Sequence, residues 1–333
     1  MRVSDFSYHL PEELIAQQPL PERAGARMLV VDRKTGTWQD KVFLDFPSCV
    51  TAGDCLVLNN SRVFPSRLIG HREKSDGAVE VFLTRPLGDG RWQALVKPGR
   101  KLRAGERVVI NDDLRIEILS QGDFGERIVR LETTGDVFDA LERAGHIPLP
   151  PYINRPDSEL DRERYQTVFA QQKGSVAAPT AGLHFTDAIL QQCRHAGAAI
   201  AYVTLHVGLG TFQPLRAEFV ADVKLHTESF TISQATQQAM NQAQRVIAIG
   251  TTSVRAIESG QPSAQEGETD IFISPGFEFQ RTGAMLTNFH LPQSSLLILV
   301  SAFAGRKLML DAYHYAVSQR YRFFSYGDCM LIL

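Results

Sequence analysis

Cysteine is scarce and scattered in this chain. Cys49, Cys55, Cys193 and Cys329 include no C-x-x-C pair, which argues against a structural zinc site and a dithiol redox motif. So few thiols in 333 residues fit a reducing compartment. Long apolar runs are missing as well. The strongest, Leu296 to Ala304, is broken by Ser301 and falls far short of the ~20 residues that cross a bilayer. The first ten residues carry Asp5 and no apolar stretch, so no secretory leader is expected and the cytoplasm is the expected location. Neither sign of charge dominates: 35 Lys and Arg face 37 Asp and Glu, a formal net charge of −2. A nucleic-acid partner must then be held by local basic patches. The glycine signatures of the common nucleotide folds are absent too. No G-x-G-x-x-G follows a first strand and no G-x-x-x-x-G-K-[ST] occurs, so a nucleotide is not held in the Rossmann or P-loop manner.

What is present is a 44% hydrophobic chain, enough for a sizeable core, with a length that suggests about two domains. The first sixty residues read as compact α/β: a short helix over 11–17, and buried strands over 27–31 and 55–58, followed by the polar run Asn59-Asn60-Ser61-Arg62. From about residue 66 to 145 short alternating segments follow one another (79–83, 92–96, 107–110, 115–119, 127–131), separated by turns such as Asp89-Gly90 and Pro98-Gly99. That spacing predicts a small antiparallel barrel or sandwich, closed by a helix over 136–144. Beyond residue 174 the pattern becomes strand, glycine-rich loop, helix, with strands over 198–205, 245–249 and 285–287, which argues for parallel pairing. The fold class expected is therefore α/β. Residues 1–65 and 151–333 make one discontinuous domain, and 66–150 make an inserted β-domain.

Parallel α/β folds gather their sites where strands end. His184, His206, His226 and His290 fall in or beside such loops, with Glu228 two residues past His226, and histidine is the side chain that titrates near neutral pH. Each alone is equally readable as a core or surface histidine. Gly250-Thr251-Thr252-Ser253-Val254-Arg255 is a strand-to-helix turn whose N–H groups, hydroxyls and guanidinium suit an anion. An ordinary N-cap with a solvated arginine explains it as well. The C-terminus interleaves Tyr321, Phe323, Phe324 and Tyr326 with Arg320 and Arg322, a mixture that can stack RNA bases and meet phosphates, or pack as a last strand. The basic run Lys97, Arg100, Lys101, Arg103 reads as a solvated turn or as a contact with RNA backbone.

Several stretches together resemble one family, the S-adenosylmethionine:tRNA ribosyltransferase-isomerases of queuosine biosynthesis. They are 57–63, 148–153, 161–168, Ala177-Ala178-Pro179-Thr180-Ala181-Gly182-Leu183-His184-Phe185, 203–212, 250–255, Thr287-Asn288-Phe289-His290-Leu291-Pro292 and 321–328. Small departures occur. Val223 and Leu225 replace a histidine and a methionine of the family's His-x-Met-His-Ser-Glu stretch, which leaves His226 and Glu228, and Asn59-Asn60-Ser61-Arg62 keeps a hydroxyl where the family often has threonine.

The resemblance implies a barrel-like α/β domain with an inserted small antiparallel β-barrel. It implies that S-adenosylmethionine is consumed as co-substrate, with no true cofactor and no metal. The acceptor is 7-aminomethyl-7-deazaguanine at the tRNA wobble position, adenine and methionine leave, and the product is an epoxyqueuosine precursor of queuosine. A monomer is implied. The catalytic set expected is His184, His206, His226, Glu228 and His290. Substrate contacts are expected from Thr180, Gly182, Phe185, Gly208, Gly210, Thr211, Thr252, Ser253, Arg255, Asn288 and Phe289. Arg255 is expected to take the methionine carboxylate, and Phe185 or Phe289 to face the sulfonium. Asn59, Arg62, Arg320, Arg322 and Tyr326 are expected to meet the anticodon loop. An S-adenosylmethionine-dependent RNA methyltransferase is the alternative, but its glycine-rich loop after the first strand is not found. The zinc cluster of a tRNA-guanine transglycosylase is excluded by cysteine spacing. A non-catalytic RNA-binding module leaves the polar strand-end loops without a purpose.

Overall fold

The computed structural model describes residues 1–208, 215, 217–259 and 266–333. Its framework is one nine-stranded mixed sheet. Buried apolar runs make its centre: β1 (Arg27–Asp32), β3 (Asp54–Asn59), β12 (Ala199–Leu205), β14 (Arg245–Ile249), β16 (Ala284–Asn288) and β17 (Cys329–Ile332). The flanks are β2 (Thr37–Val42), β13 (Glu228–Ile232) and β15 (Glu266–Thr269). The order is β15-β13-β12-β3-β14-β16-β17-β1-β2, with β15 and β2 at the edges. All six residues of β3 are buried, as expected of a strand covered on both faces. Successive residues go to opposite faces. Cys55, Val57, Val203, Ala248 and Met285 pack on one side with α5 (Thr251–Ser259), α6 (Ser295–Ala304) and α7 (Arg306–Ser318). Leu56, Leu58, Ile247 and Leu286 pack on the other with Phe43, Phe46 and α3 (Asp187–His195). The sheet is completed by α4 (Gln234–Gln242), whose Thr236 hydroxyl donates to the Tyr202 carbonyl at 2.7 Å.

The second unit is a closed antiparallel barrel of order β10-β7-β6-β5-β8-β9. Its strands are β5 (Arg67–Arg72), β6 (Ala78–Gly88), β7 (Arg91–Lys97), β8 (Arg107–Val109), β9 (Arg115–Gln121) and β10 (Glu126–Glu132). Alternate residues fill it: Val79, Val81 and Leu83 from β6, Trp92, Ala94 and Val96 from β7, Ile116 and Ile118 from β9. β5 does not stand out in the sequence, because its charges sit beside Gly70 rather than in a clean alternation. Gly70 permits closure, since a Cβ there would lie 2.3 Å from the Val109 carbonyl. Helix α1 (Val137–Ala144) follows, and the Asp136 side chain caps it by accepting from the Asp139 N–H. Between barrel and sheet lie α2 (Glu159–Arg164) and the parallel pair β4 (Ser61–Val63) and β11 (Gln172–Ser175).

Parallel pairing of β12, β3, β14 and β16 puts their carboxyl ends on one edge. β13 runs antiparallel to β12, so it begins at that edge, with Phe230 opposite Leu205. β17 does likewise beside β16, with Cys329 opposite Asn288.

Candidate active site

Four cavities open along this edge: three lie in a row, and a small fourth, lined by His226, Glu228 and Arg255, adjoins the central one at Leu296. The central one is mainly apolar, walled by Ala177, Ala178, Val207, Leu296 and Phe324, with Thr180, Thr252, Asn288, His290 and Ser325 as its polar points. The second, of about 500 Å³, is a cleft between barrel and sheet. Arg85, Gln93 and Glu126 face it from the barrel, and Lys173, His206, Gly208, His226 and Glu228 from the sheet. Val207 lines both. The third is a crevice bounded by Arg23, Arg164, His184 and Tyr326, and it meets the central cavity at Ser325.

The strand ends are fastened by one amide. Asn59, at the end of β3, donates from Nδ2 to the Leu205 carbonyl at 3.0 Å and to Thr252 Oγ1 at 3.2 Å. Its Oδ1 accepts the N–H groups of Ser61 and Leu205, both at 3.1 Å. Three loops are thereby held in register. Next to it, Ser61 Oγ lies 3.1 Å from His206 Nδ1, and the imidazole lies flat on Gly174, where a Cβ would come 2.9 Å from Cε1. Burial lowers the His206 pKa. Across the cavity, Asn288 Nδ2 donates to the Phe324 carbonyl at 2.8 Å, which turns Oδ1 toward His184 Nε2 at 3.0 Å. His184 therefore carries its proton on Nε2. Burial pushes its pKa down to about 4; the Asn288 bond opposes this, and the Arg322 and Arg23 charges add to it. Burial takes His290 down to about 3, and its Nε2 lies 2.8 Å from Thr287 Oγ1. The backbone of His290 is pinned by Tyr313, whose hydroxyl accepts its N–H at 3.1 Å, and by the Tyr8 hydroxyl, which donates to its carbonyl.

A buried ion pair closes the far end. Arg255 Nη1 meets Glu228 Oε2, and Glu228 Oε1 accepts the Gly208 N–H at 2.9 Å. The pair ties α5 to the start of β13 and the loop after β12. Arg255 Nε and Nη2 have no partner among the described residues, although Arg255 is only 6% exposed. A buried guanidinium with orphan donors is costly unless a ligand or water meets them. His226 is exposed and lines the cleft beside this pair.

Not every residue expected at the site faces a cavity. The Phe185 ring packs against Phe43 and Phe46 at 5.0 and 5.3 Å and has no face left for a sulfonium. Phe289 borders the central cavity, but its ring packs among Tyr313, Tyr321 and Phe323. Gly182 serves packing: a Cβ there would meet Phe169 and Thr167 at 2.8 Å. The Ser253 hydroxyl donates back to the Ile249 carbonyl at 2.8 Å and is fully buried. Asn59 and Tyr326, expected to touch RNA, are 1% and 5% exposed, with their polar groups used internally. Tyr326 donates to Asp161 Oδ1 at 2.7 Å, and Arg155 grips the same carboxylate with two bonds of 2.7 Å. Arg62 and Arg320 are exposed, and Arg322 is half-buried. Gly210 and Thr211 lie outside the described residues.

The sequence reading passed over Ser61, Thr287, Tyr152 and Ser325 as site residues. Ser61 and Thr287 hold imidazoles, and the Tyr152 hydroxyl lies 2.6 Å from Ser325 Oγ at the cavity wall. The available signal was position, since each stands within one of the quoted stretches.

An α/β sheet that gathers imidazoles, a guanidinium and an apolar cavity at the carboxyl ends of its parallel strands, with a β-barrel facing them across a cleft, has the arrangement of an enzyme active site. The family model described as "Queuosine biosynthesis protein" matches residues 3–332, and the chain belongs to that family. A relative in Solibacter usitatus is 59% identical over the whole of both chains and is named S-adenosylmethionine:tRNA ribosyltransferase-isomerase. A Sulfurihydrogenibium protein of the same name is 48% identical, again over the whole of both chains. The crystal structure of an S-adenosylmethionine tRNA ribosyltransferase from Thermotoga maritima is similar with a TM-score of 0.56 and 34% identity, covering 99% of this chain and 100% of that one.

Proposed function

We propose that this chain is an S-adenosylmethionine:tRNA ribosyltransferase-isomerase. It moves the ribosyl carbons of S-adenosylmethionine onto 7-aminomethyl-7-deazaguanine at the tRNA wobble position, with release of adenine and methionine. The observation that carries this reading is the end-to-end 59% identity with a relative of that name. We read residues 1–65 and 151–333 as the catalytic domain and 66–150 as its insert, acting as a cytoplasmic monomer. No helix among the described residues is long and apolar enough to cross a membrane.

The cavities suit the two substrates. S-adenosylmethionine takes the apolar central cavity, and the aminomethyl base enters from the barrel–sheet cleft. Neutral imidazoles tolerate a sulfonium, because burial has already removed their positive charge. The sulfonium acidifies the ribose C5′ hydrogens, and His206 is our choice for the base that takes one. With Nδ1–H donated to Ser61 Oγ, the Nε2 lone pair is left for the substrate. We assign His290, held by Thr287 at the central cavity, to the leaving adenine, and His226, at the cleft, to the proton of the attacking amine. His184 acts through Asn288 and positions it. The orphan donors of Arg255 suit the methionine carboxylate. Glu228 orients that guanidinium.

The test is incubation with S-adenosylmethionine and tRNA bearing the aminomethyl base, with mass analysis of products. The proposal expects adenine, methionine and an RNA heavier by the epoxycyclopentane unit. Methylated RNA with S-adenosylhomocysteine would replace it with the methyltransferase reading.

A further inference from the structure

The crevice at the β17 end of the row has a charge arrangement that the chemistry above leaves unused. Arg23 and Arg164 line it together with His184. Arg322 stands behind the crevice wall: its Nη2 donates to the Gln18 carbonyl, next to Pro19 of that wall, and its charge is felt at His184. All three guanidiniums are half-buried. Backbone carbonyls alone hold them. Arg23 donates to Gln166, Leu183 and Glu163 at 2.9, 3.3 and 2.8 Å, and Arg164 to Pro21 and Leu20 at 3.0 and 2.7 Å. Among the described residues no carboxylate oxygen lies within 4.0 Å of any of the three. The arginines with buried acidic partners, Arg155, Arg245 and Arg255, contrast with them.

The acidic groups nearby offset this charge only in part, Glu163 acting on Arg23 and Asp328 on Arg322. Glu22 is exposed on the rim and Glu163 is exposed behind Arg23. Asp328 gives its two oxygens to the backbone N–H groups of Arg27 and Arg322, at 2.9 and 2.8 Å. Asp161 is taken by Arg155 and Tyr326. Three like charges in one half-buried crevice repel each other, and their field draws an anion. The carbonyls fix the guanidiniums in place, and Arg164 Nε and Arg322 Nη1 are buried with no partner among the described residues, so donors for an anion are present and little ordering entropy remains to be lost on binding. In a chain of net charge −2 such a concentration is not a by-product of composition. From the cleft at β12 to this crevice at β17 is four strand spacings, roughly 20 Å at ~4.8 Å each.

We infer that Arg23, Arg164 and Arg322 form a subsite for a backbone phosphate of the RNA, at the β17 end of the row of cavities. The inference rests on the reading of tRNA as substrate. It gives the RNA two footholds, one at each end of the row, with the reacting nucleotide between them. Of the arginines expected to contact RNA, only Arg322 belongs to it; Arg23 and Arg164 are additions.

The experiment measures binding of a fluorescently labelled anticodon stem-loop to the full chain as NaCl is raised. Arg164→Gln and Arg322→Gln should each weaken binding about 5- to 30-fold, and each should make the slope of log K against log salt shallower by roughly 0.7. Unchanged affinity and slope in both folded variants overturn the subsite. Replacing chloride by inorganic phosphate at equal ionic strength separates the sources. Saturable phosphate binding that both variants lose, with the RNA slope intact, makes this a free-phosphate site and overturns the RNA assignment. If either variant fails to fold, phenylglyoxal modification of the wild-type chain decides. Protection of Arg23, Arg164 and Arg322 by RNA supports the subsite, and equal modification with and without RNA overturns it. Absence of adenine release by the wild-type chain would sink the proposed reaction while leaving the salt slopes to judge the subsite.

Discussion

His184 and His290 are buried and His206 is half-buried, and burial lowers the pKa of each, to about 4 for His184 and about 3 for His290. An unfolded histidine titrates near ~6.5. As pH falls below that value the unfolded chain takes up protons that the folded chain refuses, so stability is lost from about pH 6.5 downward and is fully present above it. For His184 the loss is on the order of 3 kcal/mol by pH 4. Urea unfolding between pH 7 and 4 should show it, and His184→Gln should flatten the dependence by up to one proton. An unchanged slope would mean that His184 is not buried neutral. In our proposal His206 is the base that takes the ribose proton. Replacement by Gln should lower adenine release by about 10²- to 10⁴-fold while S-adenosylmethionine still binds. Unaltered turnover would remove this residue from the mechanism. At this scale the sequence was informative about which residue types matter and poor on what each does. Phe185 and Ser253 stand in matching motifs yet serve packing, and nothing local announces it. The Tyr326–Asp161 bond spans 165 residues and the His184–Asn288 bond 104.

Secondary-structure elements were legible where burial is two-sided or alternation is clean. The central strands β1, β3, β12, β14 and β16 declare themselves as short apolar runs ended by turn residues, and β6, β7, β9 and β10 as alternating segments. β2 gives no such signal, because as an edge strand it buries little. The helix expected over 11–17 is only a single 3-10 turn at Glu12–Leu14, since Pro11 and Pro19 flank a stretch too short to nucleate a longer one. Asn59 acts at this scale, coupling the ends of β3 and β12 to the first turn of α5. Asn59→Ala strands the buried N–H groups of Ser61 and Leu205 and should cost about 3 kcal/mol. At ~2 °C per kcal/mol that is roughly a 6 °C fall in Tm by calorimetry. A Tm within a degree of the wild type would show that the three loops keep register without it.

The whole molecule sets a barrel against the reactive edge of a sheet, and the cleft between them exists because of that placement. An exposed ion pair joins the two units: Arg85 of β6 meets Glu268 of β15 at 2.6 Å. Exposed pairs contribute about 1 kcal/mol or less, so this contact orients more than it stabilises. The inserted barrel could be read from strand spacing, but strand order could not, because β3 pairs with strands more than 140 residues away. The row of cavities follows from that order alone. The central claim is that the carboxyl edge of the parallel strands binds S-adenosylmethionine. Hydrogen–deuterium exchange tests it most directly, with tRNA that lacks the aminomethyl group so that no turnover occurs. Adding S-adenosylmethionine should slow exchange in 177–184, 250–255 and 286–291 and leave the barrel strands 107–121 unchanged. Protection confined to the barrel, or to the opposite edge of the sheet, would contradict the account.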